Sequence, residues 1–231
     1  MFAGVAPRYD FLNHLLSGAL DILWRRRSAA ALELAAGARV LDLCCGTGDQ
    51  ALAVRKRGGQ VVAGDFCLPM LALAERKYRR HKTLRPRGLA TDALSLPFPD
   101  GLFDAATVSF GLRNVADLDR ALRELNRVLR AGARVAILEF AVPQSPWLSR
   151  PYLFYFRRIL PLLGRLVSPR GEAYSYLPSS VLEFPQRSGL VGLLRQAGFA
   201  AAESRDLAGG TVCLYAAVAG RTGATGAGAG R

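Results

Sequence analysis

The residues best suited to chemistry stand in one run, Leu41-Asp42-Leu43-Cys44-Cys45-Gly46-Thr47-Gly48-Asp49. An apolar stretch ends there in Gly46 and Gly48, and a helical pattern begins. Glycine at such a junction permits a tight turn and lets a ligand approach the backbone with no Cβ in the way. Nineteen residues after Gly46, Asp65 closes a second apolar stretch. In a doubly wound sheet that spacing sets a carboxylate beside the first turn, within reach of a ribose diol. Thr91-Asp92-Ala93 follows a third stretch and could read the edge of an adenine. Asp42 has a competing role, holding the turn through backbone N–H groups, and the two roles are compatible. Asp65 has one as well, as the cap of the helix that follows.

The ligand class follows from what surrounds the glycines. A dinucleotide fingerprint needs a third glycine at position 51, where Ala51 stands, and no GK[ST] phosphate loop occurs anywhere. Asp42 and Asp49 flank the turn with negative charge, which suits a cationic ligand better than a pyrophosphate. S-adenosylmethionine, with its sulfonium and ammonium groups, is such a ligand.

These residues need a scaffold, and the pattern supplies one. Strands are expected over 39–44, 60–65, 88–91, 103–110 and 133–140, with helices over 49–57, 68–80 and 118–129 between them. Alternation of this kind predicts a parallel sheet covered on both faces. Residues 143–185, rich in aromatics and prolines, read as an insertion over the sheet. A helix over 188–197 and two segments, 200–205 and 211–219, read as a closing helix and terminal hairpin. Residues 1–36 form a helical cap, 1–219 make one domain, and the Gly/Ala-rich tail 220–231 is expected to be disordered.

Composition bounds the rest. Of 231 residues 51% are apolar and 21% charged, which excludes disorder for most of the length. Lys and Arg total 31 against 18 Asp and Glu, a net charge of +13 that favours phosphate backbone, lipid headgroups or acidic substrates. Cys44, Cys45, Cys67 and Cys213 form no CxxC and read as reduced, mostly buried thiols, with no metal site expected. The start MFAGVAPRYD lacks a signal-peptide layout, and the longest apolar stretch, 152–167, is broken by Arg157, Arg158 and Arg165. The expectation is a soluble protein of a reducing compartment.

Further motifs carry a resemblance. They are FAGVAPRYDFLN from Phe2 with Leu16-Ser17, Trp24-Arg25-Arg26, Leu96-Pro97-Phe98, and Ser109-Phe110-Gly111-Leu112-Arg113-Asn114-Val115. Arg127-Val128-Leu129, Leu138-Glu139-Phe140, AYSYLPSS from Ala173, Phe184-Pro185 and Ala197-Gly198-Phe199 follow. In these the chain resembles the C-methyltransferases of ubiquinone and menaquinone biosynthesis, class I S-adenosylmethionine-dependent methyltransferases, from Met1 to about Ala219. The resemblance implies a Rossmann-like α/β fold, mostly parallel with an antiparallel terminal strand and a helical lid. It places cofactor contacts at Thr47, Asp65, Asp92, Ala93 and Ser109, beside the turn residues Asp42, Gly46 and Gly48. Cys44-Cys45, Cys67 and Ala131-Gly132-Ala133 depart from the family's usual residues; the vicinal thiols read as small buried side chains.

The implied reaction is C-methylation of a reduced prenylated quinol, demethylmenaquinol to menaquinol foremost, or its ubiquinone counterpart. A quinone is too electron-poor to attack a sulfonium, whereas quinol oxygens push density onto the ring carbon. The candidates to assist are Arg113, Asn114, Tyr9 and Asp10, with His14 and Asp49 behind them. Arg113 would act electrostatically on a developing phenolate, unless Asp117 or Glu139 pairs it. His14, in a Leu-rich helix, reads as structural. Residues 147–167 interleave aromatics and leucines with arginines, the composition of an interfacial helix. Peripheral attachment to the inner face of the membrane is therefore expected, with no nucleic-acid partner and a homodimer left open. Two other classes use the same features. The basic run 76–87 would serve an RNA methyltransferase, and a non-catalytic cofactor-binding scaffold would need only the turn.

Overall fold

In the computed structural model, residue 14 and residues 17–81, 85–159 and 172–220 are described, the side chains of 157 and 172–176 excepted. The order is α1 (Leu20–Ala31), β1 (Arg39–Leu43), α2 (Asp49–Arg55), β2 (Gln60–Asp65), α3 (Leu68–Arg79), β3 (Arg87–Ala90) and β4 (Phe103–Ser109). Then come α4 (Leu118–Arg127), β5 (Leu129–Phe140), α5 (Pro146–Phe154), α6 (Glu172–Glu183), α7 (Ser188–Gln196), β6 (Phe199–Leu207) and β7 (Val212–Ala219).

The strands form one sheet in the order β3-β2-β1-β4-β5-β7-β6. β1 to β5 run parallel, while β7 inserts antiparallel between β5 and β6. The expected doubly wound α/β fold with a terminal hairpin is what the chain adopts. The strand order reverses direction between β1 and β4, and a crevice opens at their carboxyl ends.

Alternating side chains sort the core onto two faces. Leu41, Leu43, Phe103 and Val108 pack with Leu122 and Leu125 of α4 and Leu190 and Leu194 of α7. Val40, Val61 and Ala105 pack on the other side with Trp24, Leu52, Ala74 and Tyr78 from α1, α2 and α3. On that second side the Gln50 amide donates to Ser28 Oγ at 3.3 Å and Thr107 Oγ1 at 3.2 Å. This buried network ties α1 and α2 to β4, so the cap helix is fastened to the sheet by directional bonds as well as by burial.

Most boundaries fall within two residues of the sequence expectation, and the start of β5 departs further. β5 starts four residues early because its pairing with β4 jumps from Leu129 to Arg134, a bulge in which Gly132 takes φ +81°. α4 therefore stops at Arg127. The expected tail lies outside the described residues, Gly220 excepted, as does the stretch 160–171 of the insertion.

Candidate active site

A cavity of about 400 Å³ opens at the carboxyl ends of β1, β2, β3 and β4. Gly46, Thr47 and Asp49 line it after β1, Asp65 and Phe66 after β2, Asp92 and Ala93 after β3, and Ser109, Phe110 and Asn114 after β4. Residues far apart in the chain meet because each stands at or just past the carboxyl end of a strand.

The turn after β1 needs its glycines. Gly46 and Gly48 have φ of +55° and +86°, and a Cβ on Gly48 would run into the ring of Tyr78. The turn is held from outside itself. Asp65 Oδ2 accepts from the Gly46 N–H at 2.7 Å, and Oδ1 from the Cys67 N–H at 2.8 Å. Burial raises the Asp65 carboxyl above its usual range, and the amide bonds from Cys67 and Gly46 pull it partly back. Asp65 thus performs the turn-holding role considered for Asp42. The cap of α3 is Cys67, whose thiol makes no capping bond.

Asp42 stands elsewhere than expected. It is fully buried and is not among the residues lining the cavity. Neither oxygen makes a full hydrogen bond among the described residues, although the Ala51 amide lies near. Burial pushes its pKa up to about 8, with Arg25 opposing and Asp65 adding. The reading of Asp42 as a direct cofactor contact is corrected accordingly: an inward-facing strand position puts it beneath the wall. Gly48 likewise shapes the turn without lining the cavity.

The remaining cofactor candidates line the cavity. Asp92 Oδ1 accepts from the Leu94 N–H at 2.9 Å. The hydroxyls of Thr91 and Ser109 are buried with no partner, which leaves two polar contacts for a ligand. Asp49 pairs with Lys77 at 2.6 Å, so it is a poor base. Burial raises the thiols of Cys44 and Cys45, keeping them protonated at neutral pH.

Among the catalytic candidates, Tyr9 and Asp10 lie outside the described residues, and Asn114 lines the cavity. Arg113 does not. Its Nη1 is 2.9 Å from Glu139 Oε2, both side chains buried, and also donates to the Phe110 carbonyl. Its Cζ lies 5.4 Å from the centroid of Phe140. Burial pushes the Glu139 carboxyl above its usual range in spite of that guanidinium. Arg113 is committed to this pair, which makes it a positioning residue for the Leu112–Asn114 turn instead of a group facing substrate. Asp117, the other suggested partner, caps α4 by accepting from the Arg120 N–H at 2.9 Å. His14 is structural, its Nδ1 2.9 Å from Asp21 Oδ1.

Sequence reasoning assigned no chemistry to several lining residues. Arg25, Met70 and Phe110 face the cavity, and Phe66 is 81% exposed at its rim. A large apolar residue directly after the carboxylate that closes β2 was the legible signal for Phe66. In the insertion, no residue of α5 is buried, and Trp147 and Phe154 are 89% and 63% exposed. Phe156 is instead buried and stacks on Tyr152 at 5.0 Å, which removes this pair from the expected surface anchors. Among the described residues no helix is long and apolar enough to cross a membrane.

Comparison with known proteins adds the family. The model of the ubiE/COQ5 methyltransferase family matches residues 1–219. The chain is 49% identical over 201 residues to a demethylmenaquinone methyltransferase of Thermus thermophilus, covering 86% of this chain and 91% of that one. It is 42% identical over 223 residues to a ubiquinone/menaquinone biosynthesis C-methyltransferase of Geobacter sulfurreducens, covering 93% and 85%. A crystal structure of a SAM-dependent methyltransferase from Aquifex aeolicus superposes with a TM-score of 0.63 at 18% identity, covering 84% of this chain and 89% of that one, which speaks for the fold alone.

Proposed function

The chain belongs to the ubiE/COQ5 methyltransferase family, and from that membership we propose that it methylates a ring carbon of a reduced prenylated quinol. The observation that carries this reading is that Thr47, Asp65, Asp92 and Ser109 converge on one cavity within the span of the family match. The cofactor is S-adenosylmethionine, and the residues present fit it. Asp65 keeps lone pairs for a ribose diol after accepting two backbone bonds, since a carboxylate offers about four acceptor sites. Asp92 and Ala93 sit where an adenine edge would lie, and the exposed ring of Phe66 offers it a stacking face. Thr91 and Ser109 supply the hydroxyls that lack partners.

When bound, the cofactor supplies an electrophilic methyl on a sulfonium. The protein's part is to hold the acceptor carbon in line and keep water out. Leu43, Phe110 and Val115 give the cavity its apolar wall. Asn114, on the turn after β4, can donate its side-chain N–H to a quinol oxygen as negative charge develops there. Arg113 and Glu139 hold that turn against β5. Demethylmenaquinol is the favoured acceptor, because the Thermus thermophilus relative is named for that substrate.

A prenyl tail stays in lipid, so the mouth of the cavity must meet a membrane. Trp147, Leu148, Phe154 and Ile159 are exposed beyond the carboxyl end of β5, with Arg150 and Arg158 among them. Exposed Leu20, Ile22 and Leu23 stand at the start of α1, and Arg25 of the same helix lines the cavity. We read these apolar groups as one docking rim around the mouth. The basic residues Arg76, Arg79 and Arg80 lie in and just after the last turn of α3 and are not among the residues lining the cavity, which speaks against their feeding RNA into it.

The test is incorporation of a labelled methyl group with and without dithionite. Transfer to the reduced prenyl naphthoquinol and none to the oxidised quinone is expected. Equal labelling of the oxidised form would overturn the reading.

A further inference from the structure

The acidic wall explains how the cavity meets an ammonium and a ribose, and leaves the carboxylate of the same ligand without a counter-charge. We propose that Arg25 is the residue that binds the carboxylate at the amino-acid end of S-adenosylmethionine. It reaches the site from the cap helix α1, outside the sheet that carries the other contacts.

Among the described lining residues Arg25 carries the positive charge, against Asp49, Asp65 and Asp92. Its side chain is 13% exposed, so most of its hydration is gone before any ligand arrives. Its Nε is buried with no hydrogen-bond partner. The nearest carboxylate oxygen, Asp21 Oδ2, is 3.8 Å away, too far for a hydrogen bond. Asp21 is already paired with His14, whose Nδ1 lies 2.9 Å from each of its oxygens, and Oδ1 also accepts from Ser17 Oγ at 2.9 Å. A buried guanidinium whose Nε–H is unbonded is costly, and a carboxylate matches its fork geometry.

The side chain is also fixed in place. Its Cζ lies 5.4 Å from the centroid of the Phe110 ring, a cation–π contact that holds the group by its face and leaves the in-plane N–H groups to bond. Phe110 itself packs 6.3 Å from Trp24, and Ser28, one helical turn after Arg25, is bonded to Gln50 and Thr107. The helix is thus anchored on both sides of Arg25, so its guanidinium is preorganised at the cavity wall.

The competing role is structural: Arg25 would serve only as a counter-charge for buried Asp42 beneath the wall. The two roles separate with a ligand that keeps adenosine, sulfonium and ammonium but lacks the carboxylate, namely decarboxylated S-adenosylmethionine. Titration calorimetry on the full chain should find the unaltered protein binding S-adenosylmethionine about 10- to 100-fold more tightly than the decarboxylated ligand, the range for a charge-assisted hydrogen bond. Arg25→Gln should lose most of that preference by weakening the intact ligand, with the decarboxylated one changed by less than about threefold, and Arg25→Lys should fall between. Equal losses for both ligands, or no preference in the unaltered protein, would overturn the assignment. The latter measurement needs no variant to fold. The inference rests on S-adenosylmethionine as the cofactor; failure of the unaltered protein to bind either ligand would overturn that reading and the assignment together.

Discussion

Asp65 Oδ2 accepts a 2.7 Å hydrogen bond from the backbone N–H of Gly46, so the carboxylate that closes β2 fastens the turn that leaves β1. One side chain thereby shapes the floor of the cavity and presents acceptors into it. Asp65→Ala removes both functions. It should lose about 1.5–3 kcal/mol of S-adenosylmethionine binding, the range for hydrogen bonds to a charged group. Asp65→Asn, which keeps one acceptor, should retain part of it. Calorimetric titration decides; unchanged affinity in Asp65→Ala would remove the ribose assignment.

Gly48 sets the same turn from the other side. Its φ of +86° and the Tyr78 ring against its absent Cβ leave no room for alanine. Gly48→Ala should cost more than the roughly 1 kcal/mol of an unfavourable backbone conformation, because the ring must also move. Urea unfolding would read the loss. Recovery in a Gly48→Ala/Tyr78→Leu double variant is expected, since the obstructing ring is then gone.

Arg113 and Glu139 are buried together, so removing one member strands the other. Glu139→Gln should destabilise by about 3–5 kcal/mol. Replacing both, as Arg113→Met with Glu139→Leu, should restore most of the stability, because no uncompensated charge remains. Turnover should stay low in that double variant, with cofactor affinity near normal, because the turn bearing Asn114 has lost its tether. Full recovery of kcat would mean that the pair is purely structural.

Docking on lipid should be salt-sensitive. Arg150 and Arg158 contribute about 1 kcal/mol each near an anionic surface, and Trp147 and Phe154 supply exposed apolar area. Co-sedimentation with anionic vesicles should fall when Trp147 and Phe154 are both changed to Ser, while methylation of a short-tailed soluble quinol is spared. Unchanged sedimentation would take this rim out of the docking surface.

What was legible in the sequence, and what was not, follows from the range of the forces involved. β2 was readable to the residue because Gly58-Gly59 precede and Asp65 closes a short apolar run, Val61-Val62-Ala63. Thr47, Asp65, Asp92 and Ser109 were readable because each stands at or just past a strand end, and the ends of parallel strands share one edge of the sheet. For Arg113 the sequence offered Asp117 or Glu139 as a partner; that it takes Glu139, 26 residues on, is a tertiary fact with no local signal. Arg25 was hidden for the same reason: its aim depends on how α1 docks, and that is set by Gln50 bonding Ser28 and Thr107. The start of β5 was misjudged because Gly132 reads locally as a turn, whereas the sheet absorbs it as a bulge.

Buried Asp42 gives the fold a pH dependence of unusual sign for a carboxylate. Its pKa moves from 3.8 to about 8 on folding, chiefly through loss of hydration. Between those values the folded protein binds a proton that the unfolded chain has released, so stability falls as pH rises through this window. The contribution is complete below the unfolded value and is lost as pH passes about 8. Other carboxyls in the site, Asp65 and Glu139, are raised as well, so the wild-type curve alone cannot isolate Asp42. Comparison with Asp42→Asn does, since the amide has the same shape and no titration. At pH 6, inside that window, the variant should already be the more stable, because only the unfolded wild-type chain has released the proton. At pH 9 its advantage should be larger than at pH 6 by on the order of 1–3 kcal/mol, since the loss continues until pH passes the folded value. Thermal unfolding at the two pH values measures both. A variant that lost stability equally at pH 6 and pH 9 would mean that Asp42 is ionised throughout and held by Arg25.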